Sequence, residues 1–175
     1  MRMLTLAALG AALLATGARA EVTDKSAAGF EVVEKATIAA PMAKVYAAIL
    51  TPSGWWSSRH TFSGDAKNLS LDPAAGCFCE KLPHGFVRHM TVVYADGAST
   101  VRLFGGLGPM LFTGASGHLG FALKPNGDKT DLTLSYDVGG YAKGGLADTL
   151  AAPVDGVLGE QVGRLKKYVE TGKPD

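Results

Sequence analysis

The final third of the chain changes its hydrophobic period, and this limits the folds open to it. Up to about residue 139 the sequence reads as short runs rich in β-branched and aromatic residues, separated by turn residues. Then comes "GLADTLAAPVDGVLGEQVGRLKKYVET", where Leu150, Val154, Val157, Leu158, Gln161, Leu165 and Tyr168 recur at helical spacing. This predicts one long amphipathic helix. Arg164, Lys166 and Lys167 suit its C-terminal end, where the helix dipole is negative. Pro153 is expected to kink the helix or mark its true start.

The segments before it can be ordered. Residues 29–39, "GFEVVEKATIA", have the composition of a first strand. Pro41 opens a helix, "PMAKVYAAIL", because a first turn has no use for the N–H that proline lacks. Thr51-Pro52 stops it, and "SGWWSSRHTFSG" reads as a short helix or loop. Strands are expected over 68–72, 76–82, 86–95, 99–105, 110–123 (in one or two pieces) and 129–139, with a hairpin turn at Asn126-Gly127. The expected fold is therefore α+β: a curved antiparallel sheet of about six to seven strands, wrapped on the long C-terminal helix, with one or two short helices after the first strand. Such a sheet buries one face on the helix and commonly leaves a cavity between them.

The first twenty residues, MRMLTLAALGAALLATGARA, read differently. Arg2 supplies a positive end, Leu4 to Ala15 is an apolar stretch, and Ala18-Arg19-Ala20 is a small-x-small cleavage site, the three regions of a secretory signal peptide. Cleavage after Ala20 would take 20 of the 175 residues and leave 155, one domain over 21–175, located in the periplasm or outside the cell. The formal charge would move from +1 to −1 as Arg2 and Arg19 are lost. A chain so close to neutral lacks the basic footprint that nucleic acid requires. No later stretch is apolar enough to span a bilayer. The first few mature residues and Thr171 to Asp175 read as loose ends.

Several stretches together resemble a known superfamily. They are "ATIAAPMAKVYAAIL", Trp55-Trp56, "NLSLDPAAGCFCE" and the closing "APVDGVLGEQVGRLKKYVE". The chain resembles the START-like proteins, also called SRPBCC or helix-grip. The resemblance is to the branch of polyketide cyclases and dehydrases and of domains related to activators of the heat-shock chaperone ATPase. It spans roughly residues 29–170, and "WWSSRHTFSGDAKNLSLDPAAGCFCE" resembles a secreted bacterial subgroup. The resemblance implies the helix-grip fold and leaves activity open, since the superfamily hosts both binders and cyclases. No ATP-binding motif supports an ATPase: G-x-x-x-x-G-K-[ST] does not occur, and "GGLGPMLFTG" fails G-x-G-x-x-G.

The stretch with the most chemistry is "GCFCEKLPHGFVRH", which contains both cysteines of the chain. A hairpin with His84-Gly85 at its tip would place Glu80 opposite His89, Cys79 opposite Met90 and Phe78 opposite Thr91. Cys77 and Cys79 would then share a face with Met90 and Val92, and Glu80 and His89 the other face with Phe78. Three readings of the cysteines compete. As two small buried hydrophobes they would keep free thiols, which is the expectation. A bridge suits an oxidising compartment, but an extended i, i+2 pair is too long for it unless the strand bends. As metal ligands, Cys77 and Cys79 are weak candidates without two further ligands on their face. Glu80 and His89 are candidates for an acid–base dyad or a polar ligand contact if they line a cavity. The expectation is a cross-strand ion pair on the outer face.

The remaining candidates surround the expected cavity. Of Trp55 and Trp56, one is expected to pack and the other to line the mouth. Arg59 and His60 could hold an anionic head group, and His60 is a third catalytic candidate. Met90, Val154, Leu158 and Gln161 are ligand-contact candidates. Asp155 and Gln161 are expected in capped or hydrogen-bonded roles, His118 in a structural one, and only one of Tyr136 and Asp137 can face inward. "GGLGPMLFTGASGHLG" is the candidate gate over the cavity. The expected function is binding of a small hydrophobic or amphipathic molecule, without a cofactor, by a monomer or weak dimer. The alternatives are a cyclase, dehydrase or hydrolase using Glu80, His89 or His60, or a periplasmic interaction module.

Overall fold

The structure, a computed structural model, describes residues 19–175. The expected signal peptide therefore lies outside the described residues except for Arg19 and Ala20. Eight strands form a single antiparallel sheet: β1 (Arg19–Ser26), β2 (Gly29–Ile38), β3 (Leu69–Asp72), β4 (Cys77–Leu82), β5 (Gly85–Ala95), β6 (Thr100–Gly105), β7 (Gly114–Asn126) and β8 (Lys129–Tyr141). Helix α1 (Met42–Ile49) lies between β2 and β3, and α2 (Leu146–Thr171) ends the fold. The strand order is β1-β2-β8-β7-β6-β5-β4-β3, so every strand after β3 pairs with its predecessor and β8 returns to β2.

One strand was not foreseen. Residues 19–26, expected as the end of the leader and the loose start of the mature chain, pair with β2 from Arg19↔Lys35 to Ser26↔Gly29. Their polar sequence, RAEVTDKS, suits an edge strand with one face in water, which carries little apolar pattern to read. Turn Asn126-Gly127 closes β7 on β8 as expected. Pro153 lies inside α2, which begins at Leu146, so it does not mark the start. The helix ends where Gly172 takes φ +81° and donates its N–H to the carbonyl of Tyr168, a left-handed cap that glycine adopts without strain.

The inward residues of β2 (Phe30, Val32, Ala36, Ile38) and of β8 (Leu132, Leu134, Tyr136, Val138) meet the face of α2 carrying Leu158, Val162, Leu165 and Val169 in one buried core. Tyr136 is the inward member of its pair with Asp137. The two ends of α2 are packed differently. Its C-terminal half lies flush on β2, whereas Leu150, Val154 and Val157 in its N-terminal half are only partly buried and face open space.

The β4–β5 hairpin departs from the expected register. Leu82 pairs with Gly85, so the tip is Pro83-His84, and Glu80 opposes Val87. Proline is preset for the first central position of a tight turn, which moves the tip back by one residue. A bulge between Phe78 and Cys79 then skips His89, so Phe78 opposes Met90 and Cys77 opposes Thr91. The extra residue turns two consecutive side chains, His89 and Met90, into the interior. Met90 therefore belongs to the core face opposite Phe78 and not to the cysteine face.

Cys77 and Cys79 point to the outer face with Ser70 and Asp72, their partners on β3. They are joined as a disulfide with a Cα–Cα distance of 5.4 Å. This corrects the expectation of free thiols facing the core: the two Cα atoms stand closer than in a fully extended strand, within bridging range. Thiol titration of the denatured, unreduced protein is thus expected to find no free thiol. Because the closed loop is so short, replacing both cysteines by serine should cost only about 1–2 kcal/mol in a urea titration. Two titratable thiols per chain would overturn the bridge.

Candidate functional site

The open space beside α2 is a cavity of about 340 Å³. Its walls include Trp56, Leu69 and Phe78 on one side, Leu107 and Met110 on another, and Leu158 from the helix. Each lining segment comes from a different element, so no single stretch of sequence carries the site. Leu107 is the third residue of the candidate gate, which begins at Gly105. A 3-10 turn over Gly108–Phe112 forms the part of it that covers the cavity. Tyr136 anchors its base, accepting from the Leu107 N–H at 3.1 Å and donating to the Gly105 carbonyl at 2.9 Å.

The wall holds one buried polar group. His89, 4% exposed, lies between Phe62, whose ring stacks on it at 5.8 Å, and Phe78 at 5.2 Å. Its Nε2 meets Glu80 Oε2 at 2.9 Å. Glu80 is completely buried and accepts two backbone N–H bonds besides, from Phe62 at 3.1 Å and Ser63 at 2.5 Å. The expected outer-face ion pair is thus an interior dyad, because Glu80 alternates with Cys79 toward the core and the bulge carries His89 in with it. A Cβ on Gly105 would lie 2.8 Å from the His89 carbonyl oxygen, so β6 can approach the bulge this closely only as glycine.

The charge state follows from the surroundings. Burial works to raise the Glu80 carboxyl, but the bonds from Ser63, Phe62 and His89 outweigh it and hold it below its ordinary value. For His89, burial is the largest influence and lowers its pKa despite the neighbouring carboxylate. At neutral pH the dyad is an ionised carboxylate and a neutral imidazole.

A second polar cluster lies at the mouth. Arg59 and His60 both line the cavity, but both are already held by one acid: Arg59 bonds Glu160 at 2.9 Å and His60 bonds it at 3.0 Å. Partial burial raises the Glu160 carboxyl, yet hydrogen bonds from Arg59, His60 and Ser57 bring it to about 2. His60 is consequently a rim residue paired with an acid on α2 and stands apart from the Glu80–His89 dyad.

Three ligand-contact candidates move to structural roles. Trp55 and Trp56 are both buried, 2% and 5% exposed, because a 3-10 turn at Pro52–Gly54 tilts their rings 52° apart. Only Trp56 reaches the cavity; Trp55 donates its ring N–H to Ala48 in the core. Gln161, also expected at the ligand, is fully buried and accepts the Ser57 N–H at 2.8 Å, tying the loop after α1 to α2. Met90 is packed in the core and does not line the space. Trp56, Arg59, Val154 and Leu158 are where the sequence placed them. Phe62, Phe78, Leu69 and Met110 were not singled out as contacts; Phe78 was already on the Glu80 face, the one signal available. Among the described residues no group of three or more His, Cys, Asp or Glu side chains could hold a metal ion, and no helix is long and apolar enough to cross a membrane.

An open antiparallel sheet gripping a long C-terminal helix, with an apolar cavity between them, defines a START-like helix-grip domain. The chain belongs to the polyketide cyclase/dehydrase and lipid transport family, whose model matches residues 29–170. Among solved structures it is similar in fold to a conserved protein of unknown function, EF2215, from Enterococcus faecalis (TM-score 0.59, 14% identity, covering 89% of this chain and 78% of that one). It is similar also to CalU16 from Micromonospora echinospora (TM-score 0.57, 12% identity, 93% and 88% covered). A third is the Aha1 dimer from Colwellia psychrerythraea (TM-score 0.55, 18% identity, 82% and 98% covered). None of the curated proteins matches the chain in sequence.

Proposed function

We propose that this is an exported domain that binds one small amphipathic molecule in the cavity beside α2. The observation that carries the reading is the space itself: about 340 Å³, walled by Trp56, Leu69, Phe78 and Leu158, with His89 as the one deeply buried polar side chain in the wall. Apolar burial would supply affinity at about 25 cal/mol per Å², less the entropy of binding, and the few polar groups would set orientation. Helix α2 is not flush along its whole length, which argues against a surface-interaction module. Export rests on the leader alone, and N-terminal sequencing of the secreted protein is expected to begin at Glu21; a mature chain that still carried Met1 would refute it.

Trp56 in the wall makes the binding reading testable by fluorescence. Saturable change is expected with fatty acids or small polycyclic aromatics. Leu158→Trp, which fills the space, should abolish the response while circular dichroism stays unchanged. Val154→Trp, at a less buried position, gives the same result if the first variant overpacks the core. No response from any such probe would sink the proposal.

The dyad favours a second reading. Two titratable groups within hydrogen-bond reach, one of them in the cavity wall, are the minimum for general-base chemistry of cyclase or dehydrase type. Turnover of a bound substrate that His89→Phe stops would establish it.

A further inference from the structure

His89 has one ring nitrogen that no described residue satisfies. Nδ1 is buried and without a hydrogen-bond partner, whereas Nε2 is held by Glu80. Both Glu80 oxygens accept N–H bonds from Phe62 and Ser63, and an ionised carboxylate can only accept. The shared proton therefore sits on Nε2. That choice of tautomer leaves Nδ1 as a bare lone pair on a ring that forms part of the cavity wall, shielded from solvent, so that a donor reaches it once the ring or its Phe62 cover shifts. A buried acceptor left unpaired costs free energy that an incoming donor would recover.

Resting on the binding reading, we propose that the cavity selects ligands whose head is a neutral hydrogen-bond donor, an aryl or alkyl hydroxyl, received by His89 Nδ1. An anionic head is disfavoured there by the Glu80 charge behind the ring, and at the mouth Arg59 and the His60 ring are already bonded to Glu160. The aromatic walls Trp56, Phe62 and Phe78 suit a flat apolar body, and the volume suits a molecule of two or three rings.

Three probes with one apolar body test this at pH 7, where a phenol is neutral: 2-naphthol, 2-methoxynaphthalene and 2-naphthoate. The naphthol is expected to bind about tenfold more tightly than the ether, the worth of one buried hydrogen bond. The naphthoate should bind weakest. In His89→Phe the preference for naphthol over ether should fall to about one. Should that variant fail to fold, the nitrogen-15 spectrum of histidine-labelled wild type gives the same answer: Nδ1 of His89 unprotonated, and shifted by naphthol but not by the ether. Equal binding of naphthol and ether overturns the selectivity and leaves the binding reading intact. Failure of all three to bind removes both.

A separate observation carries a second inference. Glu34 lies on the inward face of β2, completely buried, with both carboxyl oxygens unpartnered among the described residues. Asp155 of α2 faces it and leaves Oδ1 unpartnered as well. Glu21 of β1 adds a third negative group close to Asp155. On the other flank Glu34 pairs with Leu134, which offers no charge. The residue directly opposite Glu34 on β1 is Ala20, the last residue before the expected cut. We infer that leader removal places the new α-ammonium of Glu21 against Glu34 and Asp155, supplying the missing cation and locking β1 and α2 together. This rests on the export reading.

The test compares the mature chain beginning at Glu21 with the same chain acetylated at that amine. The two differ only in the terminal charge. Acetylation is expected to lower the Tm by several degrees at pH 7, and in Glu34→Gln the difference should shrink to within error. Equal Tm values for the two forms, or a difference that survives Glu34→Gln, would overturn the inference. So would a natural N-terminus other than Glu21, which would remove the export premise with it.

Discussion

Glu80→Ala is expected to lower stability by about 3–5 kcal/mol, read as a fall in the urea midpoint with little change of slope. The carboxylate is completely buried and holds three donors: the Phe62 and Ser63 N–H groups and His89. Alanine strands all three and opens a void beneath the loop that covers the cavity, so the loop carrying Arg59, His60 and Phe62 should lose its seat as well. Glu80→Gln keeps one acceptor oxygen and should cost less. The acid limb provides a second signature. A carboxyl whose folded pKa is depressed contributes stability that is present above its unfolded value, near 4.5, and is lost as pH falls through the folded value. His89, also depressed by burial, adds a loss in the same direction as pH falls below its ordinary 6.5. The alanine variant should therefore lack the share of the acid limb below pH 4.5 that Glu80 supplies, while the His89 share, no longer opposed by the carboxylate, persists. A loss below about 1 kcal/mol would show that the dyad does not hold this wall.

The opposite outcome is expected at Glu34. Burial, and then the charge of Asp155, raise its carboxyl from 4.5 to about 7. Between those values the folded state binds the proton that the unfolded state has released, so stability falls as pH rises through the window. Glu34→Gln removes that dependence. In the chain that retains Ala20, the variant should be more stable than wild type by about 1–3 kcal/mol at pH 8, with the gain gone at pH 4. The mature chain should show a smaller gain, because its terminal ammonium already offsets the charge. Destabilisation at pH 8 would mean that Glu34 has a partner holding its ionised form.

Both groups were visible in the sequence, and they differ in how far they could be interpreted there. Glu34 falls in the inward series Phe30, Val32, Glu34, Ala36, Ile38, an acid where the alternation requires an apolar residue. Its meaning depends on Asp155, more than a hundred residues away on α2, and no periodicity links the two. Alternation put Glu80 and Phe78 on one face, and His89 was added by a register that the structure overturns; the bulge nonetheless turns His89 to the same face. Whether that face was wet or buried depended on the sheet's partner, and the expectation of an outer ion pair failed on that point.

What the sequence by itself determined is what local patterns encode. The change from a period of two to one of 3.6 established a sheet followed by a gripping helix, and the spacing of Leu158, Gln161 and Leu165 established the buried stripe of that helix. Tertiary structure alone decided the rest. The bulge that turns His89 inward depends on how β5 is held between β4 and β6. The pairing of β1 depends on β2 offering an open edge. The cavity is the space left where the loop of Arg59 to Phe62, the turn after Leu107 and the first half of α2 fail to meet. Such a space is the sum of many distant positions, each set by packing against the others, whereas a hydrophobic period reports only which way a single side chain faces.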